Sequence, residues 1–249
     1  MAVIKTDALV LNAMRWQESS KIVHLFSGEH GYVKVIAKGA LRPKSPFRAA
    51  LETLNHVEAV ITHKPSRGLQ LLTGVSLNHA WQGIRADLRK TALALAVMEL
   101  LKKLFPEHEP VPDFFDYLTG LLAALDGSAR EELRPFLWHA VLELSDVLGF
   151  AWRMDVCLET GRPPERFPVF LDSRRGGIAC GRGGGGAGAL DRPQWEALLR
   201  LSRAAVTDLE TLDVDGLAAY RPDLTHVGLS HLAFHTETAL SLQSLTLYE

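Results

Sequence analysis

The feature that most constrains this chain is a change in the spacing of its apolar residues near Arg85. Before that point the apolar segments are short and rich in Val, Ile and Leu: Leu9–Ala13, Lys21–Phe26, Tyr32–Ala37, Leu54–Thr62 and Leu69–Leu77. Turn-forming stretches separate them, namely 27–31 (SGEHG), Gly39 to Pro46, and 65–68 (PSRG). After that point the segments are long, rich in Leu and Ala, and spaced as helices: Ala86–Phe105, Asp113–Leu125, Arg130–Phe150, Pro193–Asp208 and Thr225–Leu247. Asp191 ahead of Pro193 has the form of a helix start. Five strands with no helix long enough to interrupt them suit a small closed barrel, of which the OB-like fold is the five-stranded form. The expectation is an α+β chain: an N-terminal five-stranded OB-like β-barrel over 1–80, then an α-helical domain over 81–249.

The helical half is interrupted once, between 157 and 190, by a stretch rich in Gly, Pro and Arg that includes Gly183 to Gly186. That composition reads as an exposed, flexible insert. With 47% hydrophobic residues in 249, the chain can bury a substantial core. Its longest uninterrupted apolar run, Ala92 to Met98, is far short of the roughly 20 residues of a membrane span. The first residues lack a basic stretch followed by an apolar core, so no signal peptide and a cytoplasmic location are expected.

Charge is sorted along the chain. Residues 1–80 hold ten Lys and Arg against five Asp and Glu, whereas the rest is net acidic. Between Gly31 and Ala50 there are five cations (Lys34, Lys38, Arg42, Lys44 and Arg48) and no acid. Strand alternation places Tyr32, Lys34, Ile36 and Lys38 on one face, a ring beside two ammonium groups. Single-stranded nucleic acid is held in this way, by a stacking surface next to charges that follow the phosphates. The first inter-strand loop adds Arg15 and Trp16, and the last adds Lys64 and Arg67. Taken singly, each of these residues fits an ordinary solvated surface or half-buried packing equally well. The cluster as a whole points to DNA.

Catalytic motifs are not evident. The Gly183–Gly186 run has no Gly-Lys-Ser/Thr after it, so it is not a phosphate loop. His231 and His235 sit four apart on a helix and could hold a metal, as in a metal-dependent hydrolase, but the Glu that follows the first His in a zinc protease is missing. The rival readings are that hydrolase and a pure protein adaptor with an inert barrel.

The run 15–20 (RWQESS), then 23–27 (VHLFS), Gly31, 37–42 (AKGALR) and Lys44-Ser45 resembles, in order and spacing, the N-terminal domain of the RecO family of bacterial DNA repair and recombination mediators. Gly149-Phe150, Cys157, Phe170 and 176–180 (GGIAC) continue the resemblance through the insert. The resemblance implies a non-catalytic protein that binds single- and double-stranded DNA and anneals strands. It also implies cooperation with RecR and with the C-terminal tail of the single-strand-binding protein, so that RecA is loaded. Carried over by position, the DNA contacts are Arg15, Lys38, Arg42 and Lys44; Lys34, Arg48, Lys64 and Arg67 rest on charge and loop placement. The single-strand-binding protein's tail is acidic, so it would need a local basic pocket in the helical half, drawn from Arg130, Arg134, Arg200 or Arg203 beside Trp138 or Trp195. Many family members hold zinc in the insert. Here Thr160 and Gly183 stand at the second position of the two C-x-x-C pairs begun by Cys157 and Cys180, so the zinc ribbon reads as eroded and no zinc is expected.

Overall fold

The computed structural model describes residues 2–64, 66–181, 188–221 and 223–248; Gly183 and the rest of the glycine run lie outside them. The chain folds into two compact units, Met1–Asp126 and Gly127–Glu249.

In the first unit, β1 (Ala2–Trp16), β2 (Ser20–Ser27), β3 (Gly31–Ala37), β4 (His56–His63) and β5 (Gln70–His79) close into a barrel of order β1-β2-β3-β5-β4. The first strand serves two partners. Its first half pairs with β4, from Ala2↔His63 to Leu9↔His56, and its second half pairs with β2, from Leu9↔Phe26 to Trp16↔Ser20. A bulge between Val10 and Asn12 marks the change of partner, and such an extra residue bends a strand and raises its twist. Closure comes from the parallel pairing of β3 with β5, Val35↔Gln70 to Ala37↔Leu72. Alternating residues fill the inside: Ala8, Val10, Val23, Leu25, Val33, Val35, Ala37, Val57, Ala59, Ile61 and Leu72. A short helix α1 (Phe47–Ala50) stops one end of the barrel with Ala50 and Leu51.

The α+β class and five-stranded barrel match the sequence expectation, with strands longer than the sequence indicated. The compact unit extends past the change of pattern, however. The short α2 (Gln82–Ala86) and the long α3 (Leu88–Leu104) and α4 (Pro112–Gly127) group with the barrel. Asp87 separates α2 from α3 and caps α3 by accepting from the N–H groups of Arg89 and Lys90.

The second unit holds α5 (Arg134–Val147), α6 (Arg192–Leu201) and α7 (Leu224–Thr236), with a small sheet between α5 and α6. Asp191 caps α6 in a reciprocal box with Gln194. Two expected helices end early. The fourth stops at Leu201 and the last at Thr236, where Glu237 turns left-handed at φ 52. The insert corrects the sequence reading more strongly. Its described residues form a four-stranded sheet: β6 (Arg153–Cys157), β7 (Val169–Asp172), β8 (Gly177–Ala179) and β9 (Ala189–Leu190), in the order β6-β8-β7-β9. Cys157, Val169, Leu171, Ile178, Ala179 and Leu190 are buried in it. A tight turn joins β7 to β8, in which the Asp172 carboxylate accepts from the N–H groups of Arg174 and Arg175, each at 3.0 Å. No helix among the described residues is long and apolar enough to cross a membrane.

Candidate nucleic-acid interface

Because Val33, Val35 and Ala37 of β3 and Val23 and Leu25 of β2 point into the core, their neighbours in sequence point out. The outer face of this sheet therefore carries Ile22, His24 and Phe26 on β2, and Tyr32, Lys34 and Ile36 on β3 leading to Lys38. Cross-strand pairs run Phe26↔Tyr32, His24↔Lys34 and Ile22↔Ile36, while Met14↔Ile22 extends the face to β1 and Ile36↔Leu71 extends it to β5.

Half of this face is covered by the chain itself. The segment after α3 crosses the start of β3: His108 N–H donates to the Tyr32 carbonyl (3.1 Å) and Val111 N–H to that of Gly28 (2.8 Å). Gly31 permits the crossing. Its φ is +60, and a Cβ there would lie 2.2 Å from the Glu109 carbonyl oxygen. Phe26, fully buried, meets Phe105 and Phe114 edge-on, with ring centroids 5.0 and 6.5 Å away. Tyr32 is also buried, and its hydroxyl bonds His24 Nδ1 at 2.5 Å. Burial, followed by the nearby Glu107, pushes the Tyr32 phenol up to about 12. His24 is held below the ordinary histidine value by burial first, then by Lys102 and Lys34. Lys34 pairs with Glu107 at 2.6 Å. The expectation that Tyr32 and Lys34 offer a ring and a charge to DNA is thereby corrected: one is enclosed and the other already has its anion. That anion stands 73 residues further along the chain.

The other half of the face is open. Met14 and Trp16 are 41% and 46% exposed, and Ile22, Ile36 and Leu71 are half-buried beside them. Around this apolar strip stand exposed cations. The Leu41 N–H donates to the Ser19 carbonyl (2.9 Å), which ties the 38–46 loop to the β1–β2 turn and so brings Arg42 and Lys44 toward Arg15 and Trp16. Arg42 packs over Gly39, whose φ is +71, and Arg48 projects from α1. The β4–β5 loop is held from inside the barrel by the buried Gln70 amide. Its Oε1 accepts from Lys64 N–H (2.8 Å) and its Nε2 donates to the carbonyls of Lys64 (3.2 Å) and Arg67. This loop presents Lys64 and Arg67 to solvent. Among the described residues, no acid lies in ion-pair range of Lys38, Arg42, Lys44, Arg48, Lys64 or Arg67. A strip of exposed and half-buried apolar side chains with one exposed indole, rimmed by unneutralised cations, can stack bases and neutralise phosphates. Ile36 was placed on this face by strand alternation, but Ile22, Met14 and Leu71 were missed from sequence; the same alternation, outward from Trp16 and Lys38, was the signal that could have found them.

The remaining sequence candidates lie in the second unit. His231 is buried, with Nδ1 2.7 Å from the Ser173 carbonyl oxygen and Nε2 2.7 Å from that of Phe150. His235 stacks on Phe150. Both His231 nitrogens are thus engaged internally, so a His231/His235 metal centre is corrected to a packing contact. Of the arginines expected to build a basic pocket, Arg134 is held by Glu132 (2.5 Å) and Asp223 (3.0 Å), and Arg130 donates to the carbonyls of Leu209, Glu210 and Leu212. Arg200 bonds the Asp213 carbonyl (3.2 Å), and Arg203 faces Asp155 at 3.7 Å. The indole N–H groups of Trp138 and Trp195 donate to Thr225 Oγ1 and the Met154 carbonyl. The donor groups that do converge, among the described residues, are those of Cys157, Glu159 and Cys180.

The family model described as Recombination protein O N terminal matches residues 1–81, and that described as Recombination protein O C terminal matches residues 85–221. A DNA repair protein RecO of Salinibacter ruber is 36% identical over 155 residues, which are 62% of this chain and 59% of that protein. One from Anaeromyxobacter dehalogenans is 32% identical over 72% of this chain and 69% of its own length, and one from Geobacter metallireducens 32% over 80% of each.

Proposed function

Since the chain belongs to the recombination protein O family of DNA repair proteins, we propose that it binds single- and double-stranded DNA, without catalysis, on the open half of the barrel's outer face. The observation that carries this reading is the apolar strip of exposed Trp16 and Met14 and half-buried Ile22 and Ile36, ringed by Lys38, Arg42, Lys44, Lys64 and Arg67, cations that no acid neutralises among the described residues. Arg15 and Arg48 extend the ring. Annealing then needs only position and charge: cations lower the repulsion between two phosphate chains, and release of counterions drives binding that stays reversible at physiological salt. Family membership extends the reading to partners: RecR, the acidic tail of the single-strand-binding protein, and RecA loading through them. The side chains of Arg130 and Arg134 are engaged within their own unit, so tail docking on that unit falls to other groups or needs their rearrangement. No zinc is part of this function.

The test is DNA affinity as a function of salt. Replacing Lys38, Arg42 and Lys44 by Ala should weaken binding to every sequence alike, by on the order of a hundredfold at physiological salt, and flatten the salt slope by about one unit for each phosphate no longer neutralised. A folded triple variant with an unchanged slope removes this loop from the interface.

A further inference from the structure

Cys157 ends β6 and is fully buried; Cys180 follows β8 and is partly exposed; both are free thiols. The parallel β6–β8 pairing sets Cys157 opposite Ile178, and the Leu158 N–H donates to the Ile178 carbonyl (2.8 Å), so the end of β6 lies beside the end of β8, which Cys180 directly follows. Their sulfurs and a Glu159 carboxylate oxygen all lie within 4.8 Å of one another. The Cys157 thiol donates to Glu159 Oε2 (2.9 Å), and the Cys180 N–H donates to the same oxygen (2.8 Å). The other carboxylate oxygen meets Arg175 at 3.3 Å.

This donor set does not fit a closed zinc site. Structural zinc takes four nitrogen or sulfur ligands, and here three donors converge among the described residues. One of the three is a carboxylate that already accepts two hydrogen bonds and faces a guanidinium, which opposes a dication. Thr160 turns its hydroxyl oxygen to the Arg162 N–H, and Gly183, outside the described residues, has no side-chain donor. What remains is a dithiol. Its sulfurs are already close, and a disulfide asks for closure to about 2.05 Å.

We propose that Cys157 and Cys180 form a reversible intramolecular disulfide that makes the small sheet of the second unit a redox-responsive element. The oxidant is a low-molecular-weight disulfide such as oxidised glutathione. The Cys180 thiolate, the more exposed of the two, attacks it, breaking its S–S bond and releasing one glutathione thiol. Cys157 then attacks the Cys180 sulfur of the mixed disulfide, forming the Cys157–Cys180 bond and releasing the second glutathione. Two electrons pass from the cysteine pair to glutathione disulfide, and the two cysteine protons end on the two glutathione thiols. Glu159 Oε2 is placed to take the Cys157 proton on its way out. Burial pushes the Cys180 thiol up to about 12, so the first step is slow and the element answers sustained oxidation.

The experiment equilibrates the full chain with oxidised and reduced glutathione and reads intact mass, a non-reducing peptide map and thermal unfolding. Expected are a monomer about 2 Da lighter with a Cys157–Cys180 linked peptide, full reversal by dithiothreitol, and a midpoint raised by about 7–14 °C in the oxidised form. The Cys157→Ser variant should stop at a glutathione adduct on Cys180. Glu159→Gln should slow closure about tenfold while leaving the adduct step intact. Two free thiols after prolonged oxidation, a persistent adduct in the unsubstituted protein, a disulfide-linked dimer, or about one tightly held zinc per chain by elemental analysis would each overturn the proposal.

Discussion

The two halves of β3 share one strand, one outward face and a similar choice of residues, yet they meet different fates. At Tyr32 and Lys34 the face is roofed by the segment around Glu107, which accepts the ammonium, while His24 takes the phenol. At Ile36 and Lys38 no such roof stands among the described residues, and the same alternation yields an apolar step beside an exposed cation. Strand periodicity says which residues point out of a barrel; it does not say which of them meet water. A cation is available to phosphate only where its own chain has not already supplied an anion.

The comparison predicts that the covered half acts through stability and the open half through DNA. Phe26→Ala empties the roofed side, where the ring is fully buried between Phe105 and Phe114. It should cost about 3–5 kcal/mol by chemical denaturation, with DNA affinity of the folded fraction unchanged. A variant that keeps its stability but loses DNA would reverse the assignment of the two halves. On the open side, Trp16→Ala should leave stability nearly intact and weaken single-stranded DNA by about 1–3 kcal/mol in a fluorescence anisotropy titration, with less effect on duplex. Equal loss for both forms would argue against base stacking there.

The covered half should also confer a pH response. The His24 pKa is lowered in the folded state, chiefly by burial, so the unfolded chain binds more protons below about pH 6.5. The stability it contributes is complete above that pH and lost as pH falls through it. Buried His139 and His231 shift the same way, again chiefly through burial. Thermal midpoints should therefore drop between about pH 7.5 and pH 5.5, and His24→Gln should remove part of that drop. An identical drop in the variant would mean that His24 is not a contributor.

Much of the fold could be read from the chain because its signals are local. Five short apolar segments punctuated by Gly and Pro indicate the barrel, and Asp191 with Pro193 indicates the start of α6. The misses are non-local or too short to carry a period. Tyr32 and Lys34 look open in sequence because their cover arrives with Glu107 and His108, after a whole helix has intervened. The small sheet is hidden because strands of two to five residues, such as Ala189–Leu190 and Arg153–Cys157, sit among glycines and arginines that resemble a linker. Glu159 is hidden for a different reason. The spacing of a C-x-x-C pair ignores the position it occupies between Cys157 and Thr160, yet its carboxylate meets both cysteines.

The central claim is that cover, not residue type, decides which cations of the barrel bind DNA, and Lys34 and Lys38 test it most directly. Lys34 lies within β3 and Lys38 immediately follows its last residue, Ala37, and each can be replaced by Ala. Single-stranded DNA affinity should be measured across a range of salt for the unsubstituted protein and both variants. Lys38→Ala should lower the slope of log affinity against log salt by about 0.7, the value for one single-strand phosphate contact, while Lys34→Ala leaves it unchanged. Equal losses from the two variants, or a loss confined to Lys34→Ala, would contradict the account.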